Sequence, residues 1–227
     1  ALLINADDIP IYNDQHWSHI FPDGLIDLGL RHADPSTDLQ KKQQESIYLI
    51  DQWCNQYEEK IRRLGGIGFF LGGIGPDGHI AFNIRGSDHN STTRLMETNF
   101  ETQAAAATDL GGIEISKNRL VITIGLGTIT YNKNATAIII AAGEAKAPIV
   151  KMSLETEQDV RYPATALQKL KNSRFYITEG ASKALRDTKE HYWHHVPWDM
   201  EKKQNALLYL AKKKSKYGKK LSYDDLV

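Results

Sequence analysis

The run Phe69-Phe70-Leu71-Gly72-Gly73-Ile74-Gly75-Pro76-Asp77-Gly78-His79-Ile80-Ala81-Phe82-Asn83 sets an apolar strand directly against a glycine-rich turn. Ile67–Leu71 reads as a strand buried on both sides, closed by Gly72-Gly73. The glycines and Pro76 therefore lie at the carboxyl end of that strand, where open α/β sheets collect ligands. Asp77 and His79 stand two apart in one turn, so a carboxylate can fix the tautomer of an imidazole that moves protons near neutral pH. A satisfied turn histidine beside a turn-capping aspartate is the competing reading, and the pattern alone does not separate the two. Gly73-Ile74-Gly75-Pro76-Asp77-Gly78 also matches the G-x-G-x-x-G dinucleotide fingerprint. The residues after it open no amphipathic helix that could hold a pyrophosphate, which counts against a nicotinamide cofactor. No Lys-Ser/Thr pair follows the glycines, so there is no P-loop.

Outward from this loop, short apolar runs alternate with amphipathic stretches. Upstream, Leu2–Asn5 reads as a strand. Ile47, Ile50, Trp53, Cys54, Tyr57, Ile61 and Leu64 recur every three or four residues, which predicts one long helix over Asp38–Leu64. Ser36 or Thr37 would cap it and Gly65-Gly66 would stop it. Downstream, Glu97–Leu110 reads as a helix, Leu120–Ile124 as a strand, and Gly127–Tyr131 as a turn or short helix. Ala135–Ala142 is a fully apolar strand, Glu144–Leu154 and Pro163–Leu170 are helical, and Arg174–Thr178 is a last strand. Buried strands separated by helices predict an α/β, Rossmann-like fold, a mainly parallel sheet with helices on both faces.

The 227 residues are 41% hydrophobic and 25% charged, which suits a globular protein with a core and excludes wholesale disorder. Lys+Arg and Asp+Glu are both 28, so no global field draws the chain to nucleic acid or an anionic membrane. No apolar run approaches the ~18 residues that span a bilayer. The first residues lack a basic region and a long apolar stretch, so the protein is expected to be cytoplasmic. Cys54, the single cysteine, reads as a buried structural thiol. Residues 1–190 read as one domain and 191–227 as a basic helical tail or linker. Asp224-Asp225-Leu226-Val227 ends without a cap, as a cut end does. His191, His194 and His195 have a spacing that could bind metal, but Trp193 and Pro197 point to a packed tail, and no metal is expected. Trp17, Trp193 and Trp198 read as core or interface rather than a sugar platform.

Gly-Gly-Ile-Gly-Pro-Asp-Gly-His-Ile-Ala-Phe-Asn, Gly72 to Asn83, resembles the signature of the glucosamine-6-phosphate deaminases, also called isomerases. The likeness runs in order through Gln56–Ile61, Ser91–Arg94, Thr123–Thr128, Gly143–Ala147 and Pro163–Gln168, and so covers Gln56 to about Glu179. It implies ring opening of an amino-sugar phosphate, a proton shift between C2 and C1, and release of ammonia, without a cofactor. It implies His79 as the acid/base, Asp77 as its carboxylate partner and Asp7, in Ile4-Asn5-Ala6-Asp7-Asp8, as the proton shuttle. Lys146 matches a phosphate-contacting lysine, and Gly73, Gly75 and Asn83 fall at the substrate. Ser87 and Arg94 resemble part of an allosteric anion site.

The chain departs from the family at four places. Ile84 stands where a histidine-supporting Glu is usual, and an apolar side chain cannot hold an imidazolium. Thr108 stands at the position of the phosphate arginine, and Met96 at that of the allosteric lysine. The family's first βαβ unit, with its Gly-Gly-Thr/Ser-Pro phosphate loop, has no counterpart here. The expected ligand is a small phosphorylated amino sugar, with no nucleic acid and no membrane. A homo-oligomer or an additional fused domain stays open. The rival functions are a non-catalytic sugar-phosphate-binding or regulatory module and a phosphogluconolactonase-like hydrolase.

Overall fold

The structure, a computed structural model, describes residues 4–98, 103 and 120–214. The chain forms two compact units that part between Leu185 and Arg186. In the first, short turns and helix α1 (Trp17–Ile20) lead to helix α2 (Asp38–Arg63). The α2 apolar stripe buries Ile47, Ile50, Cys54 and Ile61, as its periodicity requires. The Thr37 hydroxyl caps it by accepting from Gln40 N at 3.1 Å. Burial pushes the Cys54 thiol up to about 11, as an inert structural cysteine should be.

Five strands follow: β1 (Phe69–Gly73), β2 (Arg94–Glu97), β3 (Leu120–Thr123), β4 (Thr136–Ala141) and β5 (Asn172–Ile177). β1, β4 and β5 form a parallel sheet with β4 in the middle, while β2 and β3 make a separate antiparallel pair. Helix α3 (Leu126–Thr130) precedes β4. Helix α4 (Ala147–Glu155) and a 3₁₀ segment, Pro163–Lys169, connect β4 to β5. Ile149, Val150, Ala164, Ala166 and Leu167 from those connections pack with Ala137, Ile139 and Ala141, forming the main core. The mainly parallel α/β arrangement is the one the sequence predicts. The second face of the sheet, however, is open: Phe69, Leu71, Ile140 and Tyr176 are 59%, 57%, 54% and 60% exposed. Helix α5 (Glu179–Ser182) closes this unit.

Further expectations change. Gly72 and Gly73 pair with β4 as the last residues of β1 instead of closing it. Ile4 and Asn5 are exposed coil rather than strand, and Ala6–Asp8 is a 3₁₀ turn. An apolar run becomes a strand only where a neighbour accepts its hydrogen bonds. Glu97 ends strand β2 instead of starting a helix. Residues 99–102 and 104–119, most of the expected helix, lie outside the described residues, while Gln103 is helical. Arg94-Leu95-Met96-Glu97 consists of good helix formers, but Leu95 packs on Ile50 and Cys54 of α2, and that contact outweighs propensity. The expected helix at Glu144 begins as a separate 3₁₀ turn, Glu144–Lys146, before α4.

The second unit contains helices α6 (Arg186–His195) and α7 (Met200–Lys213). Lys202, 2% exposed, donates its ammonium to Trp193 O at 3.1 Å and to Val196 O, and lies over the rings of Trp198 and Tyr192. A cation thus satisfies the orphan carbonyls at the end of α6. The basic run beyond Lys214 lies outside the described residues.

Candidate active site

The parallel register places the carboxyl ends of β1 and β4 side by side, so their following loops share one edge of the sheet. After β1 the chain turns tightly: Gly75 N donates to His79 O at 2.9 Å and Gly78 N to Gly75 O at 3.1 Å. Gly78 has φ +87°, and a Cβ there would stand 2.8 Å from Ile149 Cδ1, so conformation and space both require glycine. Ala81 also adopts a left-handed conformation, with φ 51°, at the rim of the cleft.

This turn brings Asp77 and His79 together. Asp77 is 5% exposed, and its Oδ1 lies 2.6 Å from His79 Nδ1. Its Oδ2 accepts from the backbone N–H of Arg85 at 3.3 Å. A carboxylate fixed at both oxygens holds the imidazole with a proton on Nδ1, leaving Nε2 to exchange protons with a ligand. From the loop after β4, Lys146 reaches across and donates to Ile74 O at 2.8 Å. Burial lowers the pKa of Lys146, while the negative charge of Asp77 works against that shift. His79, Lys146, Gly73, Gly75, Phe70 and Phe82 line a cleft of about 480 Å³.

A larger groove of about 540 Å³ runs beside Arg31, Lys41, Tyr48 and Asp51. Its two cations are already matched: the Arg31 guanidinium grips Asp51 with contacts of 2.7 and 2.8 Å, and Lys41 Nζ donates to Asp38 Oδ1 at 3.1 Å. Of the two, the cleft is the one in which a hydrogen-bonded carboxylate–imidazole pair, Asp77 and His79, stands beside a lysine.

Four of the residues read from the sequence line this cleft, namely Gly73, Gly75, His79 and Lys146, with Asp77 bonded behind the imidazole. Asp7 does not line it: it is exposed, in the turn Ala6–Asp8, with its N–H on Asn5 Oδ1 at 3.3 Å. Asn83, expected at the substrate, is fully buried and acts as a bracket. Its Nδ2 donates to Ile80 O and Ile124 O, and its Oδ1 accepts from Arg94 Nη1 at 2.9 Å. Ser87 and Arg94 do meet, at 3.2 Å, so the guanidinium ties Asn83 to Ser87 across the turn that carries Arg85 N. Ile84 is partly buried and outside the cleft lining, and Thr108 lies outside the described residues.

Sequence reasoning missed Glu58. Only 5% exposed, it accepts from Thr128 Oγ1 at 2.7 Å, Thr93 Oγ1 at 3.1 Å and Arg62 Nε at 3.1 Å. The available signal was a carboxylate between Tyr57 and Ile61 on the apolar stripe of α2, a placement that demands partners.

Among curated proteins, the chain is 37% identical over 119 residues to a glucosamine-6-phosphate isomerase of Candida albicans, covering 52% of this chain and 48% of that protein. It is 34% identical over 188 residues to a glucosamine-6-phosphate deaminase of Borrelia hermsii, covering 83% of this chain and 66% of that protein. This chain belongs to the glucosamine-6-phosphate deaminase family. A solved monomeric glucosamine-6-phosphate deaminase superposes with a TM-score of 0.55 at 30% identity, over 60% of this chain and 55% of that one. No family model matches the sequence. The chain spans about half the length of the curated deaminase relatives it matches first. Among the described residues, no helix is long and apolar enough to cross a membrane, and no group of three His, Cys, Asp or Glu could hold a metal ion.

Proposed function

We infer that the cleft at the ends of β1 and β4 is the sugar-phosphate site of a glucosamine-6-phosphate deaminase. The observation that carries this reading is the Asp77–His79 contact of 2.6 Å in the same cleft as Lys146. Nε2 of His79 would exchange protons with the sugar hydroxyl and ring oxygen during ring opening, while Asp77 stabilises the imidazolium. A proton then moves from C2 to C1, and water takes the place of the amine at C2, giving fructose 6-phosphate and ammonia. The overall reaction has no net redox change and calls for no organic cofactor. The resemblance gives the proton shuttle to Asp7, but Asp7 lies outside the cleft lining, and no residue of the cleft is assigned that step. Lys146 would meet the phosphate, its remaining protons available beside the one on Ile74 O.

The test is release of ammonia and fructose 6-phosphate from glucosamine 6-phosphate by the purified chain, with His79→Ala as the blank. Turnover is expected below the ordinary enzymatic range of ~1–10³ s⁻¹, because Ile84 offers no carboxylate and Thr108 no charge. Lys146→Ala should weaken binding of the sugar phosphate by about 1.5–3 kcal/mol in calorimetry and leave unphosphorylated glucosamine unaffected. Equal losses for both ligands would make the lysine structural. The position of Asp7 outside the cleft lining favours a second reading, a sugar-phosphate-binding module without catalysis. Tight sugar-phosphate binding with no ammonia released above the blank would select it.

A further inference from the structure

Gly75 fits the expectation of a glycine that admits a ligand, but the structure gives that space to His79. A Cβ on Gly75 would fall 2.0 Å from His79 Cε1, 2.1 Å from Nδ1 and 2.4 Å from Nε2. No carbon fits there. The backbone makes no such demand, since Gly75 is not among the glycines with positive φ, whereas Gly78 is. At neighbouring Gly73 a Cβ would meet only Ile140 O, at an ordinary 3.9 Å. Within one loop, therefore, Gly78 is required by conformation and Gly75 by the imidazole.

We propose that Gly75 is a positioning residue for His79, a seat that keeps Nδ1 within reach of Asp77; the proposal rests on the acid–base reading of His79. Asp77 fixes one atom of the ring, and the bare Cα of Gly75 lets the ring lie where that bond can form. Gly75 N also donates to His79 O at 2.9 Å, so seat and ring belong to one rigid turn. That turn is closed by main-chain hydrogen bonds, whereas the three atoms nearest a Cβ at residue 75 all belong to the imidazole. The obstructing atoms end a side chain with two rotatable bonds. Gly75→Ala therefore leaves the turn intact and moves the imidazole, and a displacement of about 1 Å is enough to cripple a catalytic group.

The experiment is proton NMR of the full chain, following the far-downfield resonance of an imidazole Nδ1–H bonded to a carboxylate. It is expected in the unmodified protein and in Gly73→Ala and lost in Gly75→Ala, whose thermal midpoint falls by less than about 3 °C. In the ammonia assay Gly75→Ala should lower kcat by about 10²-fold or more, with KM within about threefold. A resonance that persists in Gly75→Ala, or one missing from the unmodified protein or Gly73→Ala, overturns the proposal. If Gly75→Ala proves unstable, the double variant with His79→Ala decides the matter. Removing the ring must remove the penalty of the methyl group, so that Gly75→Ala/His79→Ala is as stable as His79→Ala; a penalty that remains overturns the seat. Should the resonance follow the expected pattern while the unmodified chain releases no ammonia, the seat stands and the catalytic reading fails.

Discussion

On β4, Ile139 is fully buried and Ile140, the next residue, is 54% exposed. The same division runs across the sheet: Ala137, Ile139 and Ala141 face the α4 connection, while Phe69, Leu71, Ile140 and Tyr176 face outward. Polar groups show the reverse. Glu58 and His89 are 5% and 8% exposed, less than any apolar side chain on the open face. Burial in this molecule follows what stands opposite a side chain, not its hydrophobicity. A buried polar group is tolerated where partners reach it, as at Glu58.

The largest expected effect separates the two isoleucines. Ile139→Ala should destabilise the protein by about 2–5 kcal/mol in urea unfolding, the usual result of emptying a packed site. Ile140→Ala should lose less than about 1 kcal/mol, as exposed substitutions do. Equal losses would mean that the outer face is covered in solution, and the contrast would fail.

A smaller effect concerns the sealed polar side. Burial, reinforced by the nearby Lys169 cation, holds the pKa of His89 below its ordinary 6.5, while a main-chain hydrogen bond at Asp159 and the charges of Asp88 and Asp159 pull the other way. Its Nε2 has no hydrogen-bond partner among the described residues, so a proton there would be buried without an acceptor. The unfolded chain takes up that proton near pH 6.5, and the folded chain only at lower pH. Stability is therefore retained above pH 6.5 and lost as pH falls through the window below it. Urea midpoints at neutral and mildly acidic pH, compared with those of His89→Gln, should show the extra acid loss only with histidine present. The slope it adds is at most about 1.4 kcal/mol per pH unit. Identical pH dependence in the two proteins would show that His89 takes up its proton equally well folded and unfolded.

Much of this was legible in the sequence where local pattern and tertiary contact agree. Helix α2 announces itself by its stripe and its Thr37 cap, and the loop from Ile74 to Asn83 by its place after a strand. Ala135–Ala142 shows a strand but not its sides, because Ala-Ile-Ile-Ile-Ala is apolar at every position and carries no alternation to say which face is sealed. At β2 the residues favour a helix, and only Leu95 meeting α2 makes them a strand. In the site, Asp77 and His79 are legible from residue type and spacing, and Lys146 through the family resemblance. Asn83 was misplaced because a signature records that a residue is kept, not whether it faces a ligand or braces the turn behind it. The support from Arg85 comes from a backbone N–H, which no side-chain pattern reveals.

The bonds of Glu58 reach 35 residues along the chain to Thr93 and 70 to Thr128. Contacts that close such long loops are entropically late, forming once the elements they join are already in place. We expect Glu58 to act as a latch on the finished fold rather than a guide to it, which the folding and unfolding rates of Glu58→Gln would check. Its loss would leave the rate of folding little changed and speed the return to the unfolded state, so the lifetime of the native chain depends on a carboxylate that contributes little to the route by which that chain is reached.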